Sequence, residues 1–327
     1  MSSGRAAWGL LLLLGVLSLL LLGLGLRVGS GWWQQPVPDF VLFEVRVPRL
    51  LAAWLSGALL GLAGAIAQGL FRNPLADPYL LGSAAGASLG LALALVWLGA
   101  GMVGSGLGAA LGSTGAAWLG ALGAVWLTLT LARGAQHTLR LLLAGVVVGV
   151  VLGAMVSLLG YWRPDILVVM QGFMLGSTAF AAWPAVQLMA VVLALSVALA
   201  WGYAKVLDAL AAGEETAQSL GLPLPGARGV LVWTLAAATA SSVAHTGLIA
   251  FVGLAAPHMV RALVGVTYRW RLPLSALMGG VLLLAADLVA RVLLAPQQLP
   301  VGVLTAVVGG GYLLWLMSRR RGLWGGP

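Results

Sequence analysis

Solidly apolar runs of close to twenty residues recur from one end of the chain to the other, separated by short breaks rich in Arg, Gly and Pro. A helix of about 20 residues crosses the roughly 30 Å hydrocarbon layer of a bilayer and satisfies its own backbone while doing so. The runs do not alternate apolar with polar positions, which argues against membrane-spanning strands. The pattern predicts an all-α integral membrane protein of about ten transmembrane helices, at residues 8–28, 50–70, 80–98, 107–132, 141–161, 183–206, 229–246, 248–264, 274–294 and 301–318. Another apolar stretch, 166–176, is only about two to three turns long and reads as an interfacial or re-entrant helix. The first run follows Arg5 as a signal peptide would. It exceeds the roughly 7 to 15 apolar residues of such a peptide, and no small-residue cleavage motif follows, so it is expected to stay as an anchor. Residues 1–327 are expected to form a single transmembrane domain.

Composition agrees. Apolar residues make up 61% of the chain and charged residues 8%, against roughly 25% charge in a soluble domain; the mean hydropathy is +1.05. If the N-terminus is inside, the inner segments hold Arg5, Arg72, Arg133, Arg140, Lys205, Arg228, Arg261, Arg269, Arg271 and Arg319 to Arg321. The outer segments keep only Arg27, Arg46, Arg49, Arg163 and Arg291. This bias predicts two cytoplasmic termini and an even number of crossings. It also accounts for the net charge of +9 without a nucleic-acid partner, because the basic residues are spread along loop ends. The absence of cysteine excludes disulfides and thiolate metal sites. Glycine is abundant, and Gly57, Gly61 and Gly64 share one helical stripe, as helices in close contact within lipid require.

Candidate chemistry is sparse. Of eight acids only Asp287 sits well inside a predicted span, and Arg291, four residues on, shares its helix face and can neutralise it. Without a chain of intramembrane carboxylates, the alternative of a stand-alone secondary transporter of a bulky solute lacks its usual coupling machinery. There is no G-x-x-x-x-G-K-[ST] loop and the only lysine is Lys205, so the chain holds no P-loop nucleotide site. There is no H-E-x-x-H; the one G-x-S-x-G match, Gly86 to Gly90, lies inside an apolar run without the strand-to-helix turn a nucleophile elbow needs, and His137, His245 and His258 stand apart. A lone histidine is more often structural, although His245, at an outer helix end, is placed where it can touch a ligand. No catalytic residue and no metal site is assigned, and the chain is not read as an enzyme.

Two long segments carry more specific information. Residues 46–90 contain R-V-P-R and R-N-P-L-A-D-P-Y; residues 213–305 contain G-E-E-T-A-Q-S-L-G-L, G-L-I-A-F-V-G-L-A-A-P-H-M-V-R, A-D-L-V-A-R and L-P-V-G-V-L-T-A. Together they resemble the FecCD-type permease family, the membrane subunits of type II ABC importers for iron-siderophores, haem and cobalamin. The resemblance implies a multi-pass subunit in the cytoplasmic (inner) membrane of a prokaryote, paired as a homodimer or with a close paralogue. It implies two cytoplasmic ATPase subunits carrying ATP and Mg, an extracytoplasmic substrate-binding protein, and a path along the dimer axis that works by alternating access. No cofactor is expected on this chain itself. The substrate is ranked as an iron chelate first, then haem, then a corrinoid.

The same resemblance gives roles to individual residues. Pro74 and Pro78 must break the chain after the second span; a simple turn would do this, and the resemblance places Asn73 and Leu75 in a cytoplasmic gate. Thr138 and Leu139 fall at a second gate element, where relatives often have serine in place of Leu139. The loop at about 207–227 holds Asp208, Glu214 and Glu215, with spacing that suits short helices presenting Ala217 and Leu220. By resemblance Gly213, Glu214, Ala217, Leu220 and Gly221 dock into the ATPase. Arg46, Arg49 and Arg291 are interfacial arginines that can snorkel to headgroups; by resemblance they dock acidic residues of the binding protein. Two departures stand out: Gln298 begins Q-L-P-V-G where E-L-P-x-G is usual, and Gly309-Gly310-Gly311-Tyr312 replaces G-x-P-x-F.

Overall fold

The computed structural model describes residues 2–28, 38–99, 107–134 and 138–324; His137 lies outside them. Helix α1 (Ser2–Arg27) is followed by α2 (Asp39–Val41), a π-helical turn Leu42–Arg46, and α3 (Val47–Phe71). The last three form one uninterrupted helical stretch of 33 residues. A 3-10 turn, Pro78–Leu81, leads to α4 (Ser83–Leu98), α5 (Leu107–Leu131) and α6 (Thr138–Trp162). A second, Pro164–Ile166, leads to α7 (Leu167–Leu175). Then come α8 (Trp183–Gly202), α9 (Ala204–Ala212), α10 (Glu214–Ser219), α11 (Leu224–Thr246), α12 (Val252–Leu263), α13 (Tyr268–Val292) and α14 (Val301–Trp324). The described residues contain no strand.

Among the described residues seven helices are long and apolar enough to cross a membrane: Gly4–Arg27, Asp39–Phe71, Gly112–Leu131, Thr138–Trp162, Trp183–Gly202, Leu224–Thr246 and Tyr268–Val292. The third and tenth predicted spans hold the shorter apolar helices Ser83–Trp97 and Val301–Tyr312. The stretch 166–176 forms the short helix its length predicts, with Ile166 and Met170 buried beneath it.

The eighth predicted span, 248–264, differs from expectation. Gly247, at φ 69°, ends α11, the chain stays non-helical to Phe251, which is left-handed at φ 68°, and α12 has only 12 residues. Neighbouring protein supplies the hydrogen bonds that a continuous helix would have supplied. The Leu248 N–H donates to the Phe173 carbonyl at 3.0 Å. The Tyr79 hydroxyl donates to the Ile249 carbonyl at 3.2 Å, and the Gln68 amide braces the first turn of α12 at the Leu254 carbonyl, also at 3.2 Å. Irregular backbone at membrane depth persists only where protein satisfies it in this way.

Helix α3 is the centre of the bundle, packed against α13, α11, α12 and α8. The predicted glycine stripe is what lets it sit there. A Cβ on Gly57 would overlap the Gly279 carbonyl of α13, one on Gly61 the Ser275 carbonyl, and one on Gly64 the Gly253 carbonyl of α12. The α4–α5 pair repeats the device, with Gly86 against Gly120 and Gly90 against Ala116. Hydroxyls add to it, since Ser56 of α3 bonds Ser242 and Thr246 of α11 at 2.6 and 3.0 Å.

Candidate functional site

At one end of the bundle α3 terminates in Arg72, left-handed at φ 50°. The next turn is built by side chains: Asn73 Oδ1 accepts the Leu75 N–H at 2.9 Å, and Asp77 Oδ1 accepts the Tyr79 N–H at 2.8 Å. These are Asx turns, and with the two prolines they fix the break that the sequence requires. Burial pushes the Asp77 carboxyl above its ordinary value, opposed by the Tyr79 N–H. Asn73 and Leu75 are exposed. The 3-10 turn that follows packs against α6, whose Gly145 lies on the Leu80 carbonyl. Thr138, the first residue of α6, is half-buried, and Leu139 is exposed.

The loop with the three acids forms α9 and α10. Glu214 opens α10, accepts from Arg228 of α11 at 2.8 Å and stands 3.7 Å from Arg72. It therefore ties α10 to the turn that carries Asn73. Gly213 and Gly221, at φ 129° and 67°, bracket the short helix. Ala217 is fully buried within the chain, whereas Leu220 is 63% exposed. Of the two apolar positions expected to face a partner, only Leu220 is exposed; Ala217 seats α10 on its own subunit. Asp208 accepts the Tyr268 N–H at 2.9 Å and so caps α13. Glu215 is exposed.

At the opposite end the expected Asp287–Arg291 pair is present, with Arg291 donating to Oδ2. Two further groups join it that sequence reasoning did not connect. Arg49 Nη2 reaches Asp287 Oδ1 at 3.2 Å, and the Thr178 hydroxyl donates to the same oxygen at 2.5 Å. Arg49 also donates to Gln298 Oε1 at 2.6 Å, which gives the unusual glutamine a partner. Arg291 is buried and Arg49 nearly so, while Arg46, partly buried, donates to the Leu26 carbonyl at 2.9 Å. The three arginines are thus one neighbourhood with one buried member.

Beside this end a cleft of about 480 Å³ is lined by residues that include Ser113, Phe173, Ser177, Phe180, His245 and Pro300. A second, of about 390 Å³, shares Thr114, Phe180 and His245. His245 anchors one ring nitrogen, Nδ1, on the Ser241 carbonyl at 2.8 Å. His258, by contrast, is buried with its ring edge-on to Tyr312.

A model of the FecCD transport family matches residues 10–319. The chain belongs to the FecCD transport family. Among curated FecCD relatives, the hemin transport system permease protein HmuU of Yersinia pestis is 37% identical over 303 residues, 88% of this chain and 87% of that protein. The vitamin B12 import system permease protein BtuC of Escherichia coli O9:H4 (strain HS) is 41% identical over 326 residues, 95% of each. A solved inward-facing structure of a metal-chelate type ABC transporter superposes with a TM-score of 0.83 at 29% identity, covering 97% of this chain and 99% of that one. PsaBC from Streptococcus pneumoniae, in complex with Fab, shares the fold at a TM-score of 0.60 and 16% identity, over 84% and 92%. The FecCD assignment makes the chain a multi-pass ABC permease subunit, consistent with its seven long apolar helices.

Proposed function

We propose that this FecCD subunit moves a bulky metal chelate, haem or a corrinoid ahead of a siderophore-bound iron, across the cytoplasmic membrane by alternating access. The energy comes from two partner ATPase subunits, and the substrate from an extracytoplasmic binding protein. The observation that carries this reading is similarity over nearly the full length to a haem and a vitamin B12 permease. It moves both tetrapyrrole substrates ahead of the iron chelate that the sequence alone ranks first. The predominantly apolar clefts beside His245 suit a large ligand passing without tight polar contacts. Among the described residues Asp287 is the only acid buried within a predicted span, and two arginines engage it, which leaves ion-coupled transport without machinery.

Ten crossings and a paired subunit belong to the same proposal. Trp8 of α1 packs edge-on against Trp270 at the start of α13, so α1 begins at the Arg72 end, and the excess of Lys and Arg at that end supports reading it as cytoplasmic. Reconstitution of the chain with its ATPase and binding protein tests the reading. ATP-dependent uptake of haemin or cyanocobalamin is expected; uptake by the chain alone, driven by an ion gradient without ATP, would overturn it.

Two variants probe the surfaces. Asn73→Trp and Thr138→Trp enlarge side chains at the Arg72 end without touching the core, so uptake is expected to fall about ten-fold or more while the complex stays assembled. Parent-like uptake in both would remove these residues from the path. At the other end, reversing Arg49 would set a second carboxylate beside buried Asp287, so neutralisation is the cleaner change. Arg46→Gln combined with Arg49→Gln is expected to slow association of the binding protein about ten-fold at low salt and to flatten its salt dependence. Stopped-flow association at two ionic strengths reads this directly.

A further inference from the structure

The Asp287 cluster does more than neutralise one charge. Two guanidinium groups, from Arg49 on α3 and Arg291 on α13, share a single buried carboxylate. The Nε atoms of both arginines are buried without a hydrogen-bond partner. The cluster is therefore short of acceptors and carries a surplus positive charge, a costly state in a low-dielectric setting. Thr178 and Arg49 donate to the same carboxylate oxygen, Oδ1, so a shift of either donor is felt by the other.

Thr178 belongs to the segment between α7 and α8, and that segment is a junction. The Ser177 N–H donates to the Thr246 carbonyl of α11 at 2.8 Å, and the Gly302 N–H of α14 donates to the Gly176 carbonyl at 3.3 Å. Ser177 and Phe180 line the larger cleft, and Phe180 is 93% exposed. The Thr178–Asp287 bond is thus a side-chain link from this segment to the arginines.

We propose that Asp287 is a positioning residue that couples the two arginines to the mouth of the cleft through Thr178. A carboxylate arriving on Arg49 supplies the missing acceptor, draws the guanidinium from Oδ1, and changes the hold of Asp287 on Thr178 and on the segment carrying Phe180. The proposal rests on the reading of Arg49 as a docking residue for the binding protein, and it adds the element through which docking is felt at the cleft.

The absence of cysteine from the chain makes the test direct. A single Phe180→Cys change takes a spin label in the assembled complex in lipid nanodiscs, and Thr178→Val and Thr178→Ser are made in that background. With no binding protein present, Thr178→Val is expected to increase label mobility, and Thr178→Ser to keep the parent spectrum. On adding the binding protein, the parent and Thr178→Ser are expected to change spectrum and to stimulate ATP hydrolysis. Thr178→Val should bind it within about two-fold of the parent affinity yet lose about ten-fold of the stimulation, a coupling loss of ordinary size. Parent-like mobility and stimulation in Thr178→Val would overturn the proposal. Failure of the docking reading is seen separately, as association unchanged by the Arg46→Gln and Arg49→Gln pair; the mobility comparison in the free complex then still decides whether Thr178 holds the segment.

Discussion

Gly61→Val is expected to abolish the folded subunit. Gly61 meets the Ser275 carbonyl and the Gly279 Cα of α13, so the obstacle to a side chain is backbone that cannot rotate aside. Adding atoms to a filled core commonly costs about 1–3 kcal/mol. Here the helices themselves must separate, and the same separation loosens the contacts of Gly57 and Gly64 on the stripe, so a loss of about 3 kcal/mol or more is expected. Lipid offers little hydrophobic drive to restore the pair, because tails solvate exposed apolar helix faces as well as protein does. The measurement is the yield of monodisperse protein after detergent extraction, with Gly15→Ala as control, since nothing lies within 4 Å of a Cβ at Gly15. Equal yields from both variants would refute the close-contact account.

Leu220→Asp and Ala217→Asp are expected to fail in different ways. Leu220 projects from the end of α10, 63% exposed, so a carboxylate there remains hydrated and the subunit folds. Lost apolar contact at a docking centre costs about 2 kcal/mol or more, which weakens assembly with the ATPase about thirty-fold. Ala217 has no exposure at all, and an aspartate there would be a buried unpaired charge, costing about 3 kcal/mol or more. Its expected signature is detachment of α10, read as protease sensitivity of the 207–227 loop before any partner is added. If Leu220→Asp pulls down the ATPase as the parent does, α10 is not the docking element.

What the sequence made legible is what repeats along it. Apolar runs placed the long helices with ends mostly within about six residues, the stretch Asp39–Phe71 beginning earlier than its apolar run, because membrane helices need unbroken apolar length whatever their neighbours are. The stripe at Gly57, Gly61 and Gly64 and the pair at Asp287 and Arg291 were readable for the same reason, both being spacings within one helix. Relations across the chain were not readable. Nothing local tells that Asp287 also serves Arg49, 238 positions away, or Thr178, 109 away. Glu214 likewise read only as a member of the docking loop, and only the fold brings Arg72 and Arg228 to it. The eighth span was misjudged because 248–251 is as apolar as a helix would be; its unwinding is dictated by the glycine and left-handed phenylalanine that flank it and by carbonyls on other elements.

The placement of the glycine stripe along α3 has a mechanical consequence. Arg49 and Arg72 lie 23 residues apart on one stiff rod, about 35 Å at 1.5 Å per residue, and Gly61 falls at its midpoint. Close contacts of Gly57, Gly61 and Gly64 around the midpoint can serve as a fulcrum. A tilt of about 10° around it carries the two tips about 3 Å in opposite directions with no change in the rod itself. Such a seesaw would let one end of the molecule widen as the other narrows without breaking a hydrogen bond inside the helix, as the proposed alternating access requires.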